Sequence, residues 1–259
     1  MNENEYRLMA DVEAAHWWFL GLRDLLSRVL AASGLTQRPD VRVLDAGCGT
    51  GANLRLAGDL LKPSYLGGFD YSPVALELCR EKAPEADLYQ SDLCEPELRE
   101  AEYDLILSCD VLPMTGLDAA RNGLGRLAER LRPGGLFVIN VAAYNWLYSA
   151  HDVATGSSER FTARQIGRLL EDMGLDRWLL TYRLCLLFPA IVLARLPSMI
   201  RRPSPASARS DLSWPPAFVN RCLASVVRSE NAAIIKGVRL PWGSSVFAVG
   251  RRGSGAETG

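Results

Sequence analysis

The 259-residue sequence predicts an α/β protein with a doubly wound, mainly parallel, seven-stranded sheet under a helical lid. Three observations predict it. An apolar run ends in an acid and three alternating glycines at Val41-Arg-Val-Leu-Asp-Ala-Gly-Cys-Gly-Thr-Gly51. Short apolar runs then alternate with helical patterns. Acids fall at the carboxyl ends of those runs, where open α/β sheets place their ligands.

In chain order, residues 3–33 carry Leu8, Val12, Ala15, Phe19 and Leu22 at helical spacing and predict two helices meeting near Gly21. A polar link over 36–40 leads to the first strand at 41–45 and a helix at 51–61. The second strand, 65–69, ends at Asp70. A helix over 73–82 follows, with Ser72 as N-cap and Pro73 in its first position. The third strand is 86–90. The strongly apolar run 103–109 suits a sheet centre. A helix over 117–131, a turn at 132–135 and a fifth strand at 136–141 come next, then an irregular aromatic stretch, 142–160. Residues 162–173 read as a helix from Thr162 to a stop at Gly174. Strands at 176–183 and 244–251 complete the sheet. The 60 residues 184–243 between them hold half of the 14 prolines, so no single helix spans them. Their apolar run, 184–194, reads as a buried lid helix kinked at Pro189, as a pocket lining, or as a membrane contact with Arg195, Arg201 and Arg202 at the headgroups. Residues 201–216 read as a mobile linker, 218–236 as an amphipathic helix, and the tail from 253 as disordered.

Composition excludes several classes. A formal net charge of −1 leaves no broad basic field for nucleic acid. Six scattered cysteines without a Cys-x-x-Cys pair fit reduced cytoplasmic thiols better than a disulfide frame or zinc site. His16 and His151 lie far apart, so no metal is expected. The N-terminus lacks a secretory apolar core, and no apolar run reaches bilayer-spanning length. A cytoplasmic monomer or homodimer is the expectation.

The motif Asp45-Ala-Gly-Cys-Gly-Thr-Gly51 resembles the first motif of class I S-adenosylmethionine-dependent methyltransferases, and its glycine spacing differs from the Gly-x-Gly-x-x-Gly of dinucleotide binders. The resemblance covers 41–183 and the last strand. It implies a Rossmann-like methyltransferase fold with S-adenosyl-L-methionine as cofactor. Asp70 would bind the ribose hydroxyls, with Tyr71 against the adenine or ribose. Ser91-Asp92-Leu93 matches the acid-containing loop that meets the adenine. The stretch from Tyr103 through Cys109 and Asp110 to Leu112 matches the strand beneath the cofactor, and Leu131-Arg-Pro-Gly-Gly-Leu136 the turn before the fifth strand. The loop of Gly47, Cys48, Gly49 and Gly51 would offer amides to the cofactor carboxylate. Asp45 would support that loop or the ammonium group. Where many relatives continue Asp-Val-Leu with Glu-His, this chain has Pro113-Met114, so a histidine is absent there.

Two further segments resemble a bacterial subgroup of that family. Glu13-Ala-Ala-His-Trp-Trp-Phe-Leu-Gly-Leu-Arg23 is similar to its N-terminal His-Trp-Trp-Phe segment, a helix covering the active site. Trp18 and Arg23 are the candidates there, with Arg23 paired either to the cofactor carboxylate or to an acid. Trp146-Leu-Tyr-Ser-Ala-His-Asp152 is similar to the subgroup's segment after the fifth strand, which faces the transferable methyl. His151 is then a candidate general base with Asp152 fixing its tautomer. The other reading of that pair is a structural brace. Tyr144 and Tyr148 are candidates for positioning substrate.

The chain thus reads as a single domain over 1–259. It has a helical cap at 1–35, a cofactor core at 41–183 with 244–252, and a substrate insertion at 184–243. The expected activity is methyl transfer to oxygen or nitrogen of a small, partly hydrophobic natural product or lipid-like molecule. Two rivals stand: an NAD(P)-dependent oxidoreductase, and a non-catalytic protein that retains the fold for binding.

Overall fold

The computed structural model describes residues 3–200 and 214–254. Seven strands form one sheet: β1 (Arg42–Ala46), β2 (Tyr65–Asp70), β3 (Asp87–Gln90), β4 (Tyr103–Cys109), β5 (Leu131–Ala142), β6 (Asp176–Arg183) and β7 (Ser245–Arg251). Their order is β3-β2-β1-β4-β5-β7-β6. β7 runs antiparallel to both neighbours, and the other strands share one direction. The mainly parallel, seven-stranded sheet read from the sequence is the one that forms.

The helices are α1 (Glu3–Val12), α2 (Trp17–Ser33), α3 (Ala52–Leu61), α4 (Pro73–Lys82), α5 (Leu112–Thr115), α6 (Leu117–Glu129), α7 (Ala150–Thr155), α8 (Ala163–Asp172), α9 (Phe188–Ile200) and α10 (Ala217–Ile235). Alternating strand residues feed opposite cores, as the pleat requires. Ile106 of β4 packs with Leu124 and Leu127 of α6 and Leu169 of α8. Leu105 and Leu107 pack on the other face with Leu25 of α2, Leu54 of α3 and Ile234 of α10. Both faces are covered, which is why β4 is continuously apolar from Leu105 to Leu107, between Asp104 and Ser108.

Several boundaries differ from the sequence expectation. The first two helices part at residues 13–16, not at Gly21. His16 caps α2, its Nδ1 accepting from the Trp18 amide at 3.4 Å. Gly21 lies within α2, where an added Cβ would meet Val227 Cγ1 at 2.5 Å. Its lack of a side chain admits α10 rather than breaking α2. The turn expected at 132–135 is a bulge within β5, between the Tyr103–Leu131 and Leu105–Leu136 pairs. The stretch expected to be irregular holds α7, and α5 follows β4 unannounced. Helices this short have too few turns for a period to show. α9 is not a buried helix kinked at Pro189. That proline sits in its first turn, where none is disrupted, and Leu193 is 67% exposed. Arg201, Arg202 and 201–213 of the expected linker lie outside the described residues, as does the tail beyond residue 254.

The two ends of the chain meet beside the sheet. Asn231 Nδ2 donates to the Gly21 carbonyl at 2.8 Å and to Asp24 at 2.9 Å. Asn220 Oδ1 accepts from the Trp17 amide at 2.9 Å, while its Nδ2 donates to the Ala15 carbonyl at 2.8 Å. One α10 side chain therefore clamps the joint between α1 and α2. All six cysteines are free. No helix among the described residues is long and apolar enough to cross a membrane.

Candidate functional site

The carboxyl ends of β1, β2 and β4 open onto a cavity of about 830 Å³. Gly47, Cys48, Gly49, Asp70, Tyr71, Asp92, Leu93, Cys109 and Asp110 line its floor, and Trp18 and Arg23 its roof. His151 and Asp152 stand on the far wall. Asp45, Gly51 and Tyr144 are not among the lining residues.

The glycine loop works differently from the sequence expectation. The Gly47 and Cys48 amides both donate to the Phe69 carbonyl at 2.8 Å, and the Gly51 amide donates to the Cys48 carbonyl at 2.9 Å. The Gly49 amide donates to Asp70 Oδ2 at 2.9 Å. These amides are committed within the chain, so they do not wait for a cofactor carboxylate. What glycine supplies is room. Gly47 takes φ 85°, and a Cβ there would come within 2.2 Å of Val111 Cγ2. Gly51 closes the loop as the N-cap position of α3.

The acids differ in environment. Asp70 also accepts from the Ser72 amide at 2.9 Å and the Tyr6 hydroxyl at 3.3 Å. Burial raises its pKa, and these hydrogen bonds oppose the rise. Asp45 Oδ2 is buried without a hydrogen-bond partner. Burial, reinforced by the Asp70 charge, lifts the Asp45 pKa to about 7. Asp110 leaves β4 at φ 61°. It accepts from Asn140 Nδ2 at 2.8 and 3.0 Å. Burial raises its pKa to about 6, against the pull of Asn140 and of the Arg183 and Arg160 charges. The fully buried Arg183 donates to Asn140 Oδ1 at 3.0 Å. An acid, an amide and a guanidinium thus run in series beneath the cavity. Asp92 is exposed and accepts from the Cys94 amide at 2.8 Å. Tyr71 is 74% exposed at the rim, open to lie against a flat ring.

Carboxylates at successive strand ends, one with an orphaned buried oxygen, fit a ligand bringing positive charge and hydroxyl groups. S-adenosylmethionine brings a sulfonium, an ammonium and two ribose hydroxyls. A pyrophosphate fits poorly, because the acids repel it and the loop amides are already spent. The dinucleotide-binding order 3-2-1-4-5-6 also has no antiparallel strand in the place of β7. Both points weigh against the oxidoreductase reading.

The roof is tied to the floor by bonds the sequence did not reveal. Besides Tyr6 on Asp70, Glu13 accepts from Thr50 Oγ1 at 2.7 Å and pairs with Lys82. Arg23 Nη2 donates to the Glu13 carbonyl at 2.6 Å, so its partner here is the chain itself. Trp18 meets Phe19 edge-on at 5.0 Å.

The far wall corrects two expectations. Asp152 is 1% exposed and takes both Arg160 Nε at 2.8 Å and Arg160 Nη2 at 2.9 Å, while also capping Ser149. It anchors α7 rather than setting the tautomer of its neighbour. Tyr144 turns away from the cavity into a cluster with Tyr182 at 5.1 Å, Trp146 at 5.7 Å and Phe188 at 5.9 Å. Burial raises its pKa, which suits a packing role better than a catalytic one. The Tyr148 hydroxyl donates to the Ser157 carbonyl at 2.8 Å. His151 remains half-buried on the cavity wall.

Residues 43–135 match a methyltransferase domain family. An uncharacterized methyltransferase of Bacillus subtilis is 30% identical over 104 residues, covering 39% of this chain and 42% of its own length. The trans-aconitate 2-methyltransferase of Deinococcus radiodurans is 27% identical over 161 residues, 62% of this chain and 56% of its own. The chain therefore spans about half the length of the curated relatives it matches. Among solved structures, a chain from a complex of a Haloferax volcanii methyltransferase activator with a methyltransferase superposes with TM-score 0.56 at 18% identity, covering 98% of this chain and 96% of that one. An S-adenosylmethionine-dependent methyltransferase from Clostridium acetobutylicum gives 0.54 at 10% identity, with 90% and 91% covered. These superpositions speak for the fold, and the sequence matches for the family. On those grounds the stretch 43–135 is similar to methyltransferase domains, and the chain shares its fold with S-adenosylmethionine-dependent methyltransferases.

Proposed function

We propose that the chain transfers the methyl group of S-adenosylmethionine to an oxygen or nitrogen of a small, partly hydrophobic acceptor. The observation that carries this reading is the cavity itself, with strand-end acids on its floor, the apolar and aromatic side chains of Trp17, Trp18, Phe19 and Leu22 on its roof, and His151 on its far wall. Its volume of about 830 Å³ lies toward the upper end of the roughly 300–1,000 Å³ of small-molecule pockets, leaving room for donor and acceptor together. When bound, the donor supplies a methyl on a positively charged sulfur, open to in-line displacement. Asp70 accepts from its ribose hydroxyls, and Tyr71 and Leu93 flank its adenine. Asp45 and Asp110 lie beneath its amino-acid end, where a cationic ligand favours their ionised forms. Trp18 and the roof exclude water and hold alignment, from which such a displacement gains most. His151 takes the proton from an acceptor that must lose one. In this reading 1–35 and 184–243 form the cap over a core of 41–183 with 244–252. The Deinococcus relative is named for methylating trans-aconitate, a small acid, which accords with a small-molecule acceptor.

Titration calorimetry with S-adenosylhomocysteine is expected to show binding, and NAD none. Absence of binding by S-adenosylmethionine and S-adenosylhomocysteine overturns the reading. With a labelled donor and a panel of hydroxyl, carboxyl and amino acceptors, His151→Ala is expected to lower kcat by about 10²–10⁴-fold at unchanged S-adenosylhomocysteine affinity. Normal turnover would leave His151 as a wall residue.

A further inference from the structure

The outer face of α9 inverts the usual pattern. Pro189, Ala190, Leu193, Leu196 and Pro197 are all exposed, and their spacing places them on one side of the helix, with the exposed Leu186 in the turn just before it. A soluble helix turns its charged side outward. Among the described residues the exposed side carries no polar group, while Ile191 and Arg195 line the cavity. The start of α10 continues the character: Trp214 is 56% exposed and Phe218 71%. Trp146, also exposed, meets Phe188 edge-on at 5.9 Å at the root of α9.

The charge of the same segment is equally uneven. Residues 184–243 hold eight Arg and Lys against two acids, a net +6 in a chain whose total is −1. One of those acids, Glu230, is buried, its carboxylate taken by the Leu184 and Leu186 amides. Arg221 and Arg228 on α10 stand exposed. Exposed apolar side chains beside tryptophans, in a segment of net basic sequence with Arg221 and Arg228 exposed on α10, match the boundary layer of an anionic bilayer. The apolar groups enter the acyl margin, indoles sit at headgroup depth, and arginines meet phosphates. The helix is too short to cross, so it lies in the plane.

We infer that the exposed face of α9, with the first turn of α10, docks the protein on an anionic phospholipid surface. Ile191, Ala194 and Pro215 border the cavity, so docking brings its mouth to the lipid. The inference is separate from methyl transfer, because vesicle binding needs no cofactor.

Flotation of the full chain with two vesicle types tests it: phosphatidylcholine alone, and phosphatidylcholine with phosphatidylglycerol. Binding is expected on the anionic vesicles and is expected to weaken as salt rises. The pair Leu193→Glu and Leu196→Glu, both at exposed positions, is expected to lower partitioning by about tenfold or more, since charge replaces inserted apolar surface. Leu60→Glu, exposed on α3, serves as control and leaves binding unchanged. Circular dichroism and calorimetry with S-adenosylhomocysteine check that each variant keeps its fold and its cofactor site. Four outcomes overturn the inference: no flotation on either vesicle, equal binding to both, equal loss in Leu60→Glu, or full binding by the double variant. Bare vesicles together with a dimer that the double variant splits would reassign the face to a second copy of the chain.

Discussion

Asp70 accepts from the Gly49 and Ser72 amides and from the Tyr6 hydroxyl, so one carboxylate holds the glycine loop, the turn into α4 and the roof. Asp70→Asn keeps the volume and removes the charge. It is expected to weaken S-adenosylhomocysteine binding by about 10- to 100-fold, because hydrogen bonds to charged groups contribute roughly 1.5–3 kcal/mol. An unchanged Kd by calorimetry would remove Asp70 from the ribose. Asp45 reports on pH instead. Its folded pKa is raised to about 7; the unfolded value is about 3.9. Below both values the carboxyl is neutral in either state and costs nothing. Between them the unfolded chain has lost the proton while the folded chain keeps it, so this site's contribution falls with rising pH and is lowest above the folded value. Asp45→Asn is expected to flatten the decline in Tm between about pH 4 and 7. A decline as steep as that of the unmutated chain would assign the titration elsewhere. Asp45, Asp70 and Asp92 were legible because each ends or follows an apolar strand. Tyr6, Asn140 and Arg183 were not, because their partners lie 64 and 43 positions away and no motif spans the gap.

Elements announced themselves where they carried caps. Ser72 with Pro73 marks the start of α4, and Thr162 with Gln165 the start of α8, and both helices begin there. α7 carries a capping box too, in Ser149 and Asp152, but it is six residues long and its acid looked like a partner for histidine. What holds α7 is the buried Arg160–Asp152 pair at 2.8 Å. Arg160→Ala is expected to cost about 3–5 kcal/mol, since it strands a buried charge, whereas removing both partners costs less. Urea titrations of the two variants check this. A loss under about 1 kcal/mol would mean that Asp152 finds water or another donor. The wall carrying His151 is expected to loosen with α7.

At the scale of the molecule, the sheet was legible and the helices of the cap were read, but the bonds that join them were not. A parallel sheet writes itself into the chain as apolar runs at regular intervals. The cap arises where residues from the two ends of the chain meet, and no period records such a pairing. A ligand closing that cap stabilises by mass action. S-adenosylhomocysteine at 100 times its Kd is expected to add about 2.7 kcal/mol to unfolding. It is also expected to slow amide exchange in α1 and α2. Exchange there that ignores the ligand would detach the roof from the site. The Asn220 clamp has a consequence for biogenesis. Its partner Trp17 precedes it by 203 positions. On the ribosome, the aromatic run Trp17-Trp18-Phe19 therefore emerges long before the residue that seats it. A nascent chain short of Asn220 carries the glycine loop without the clamp on its roof, with two indoles to offer to chaperones in the interval.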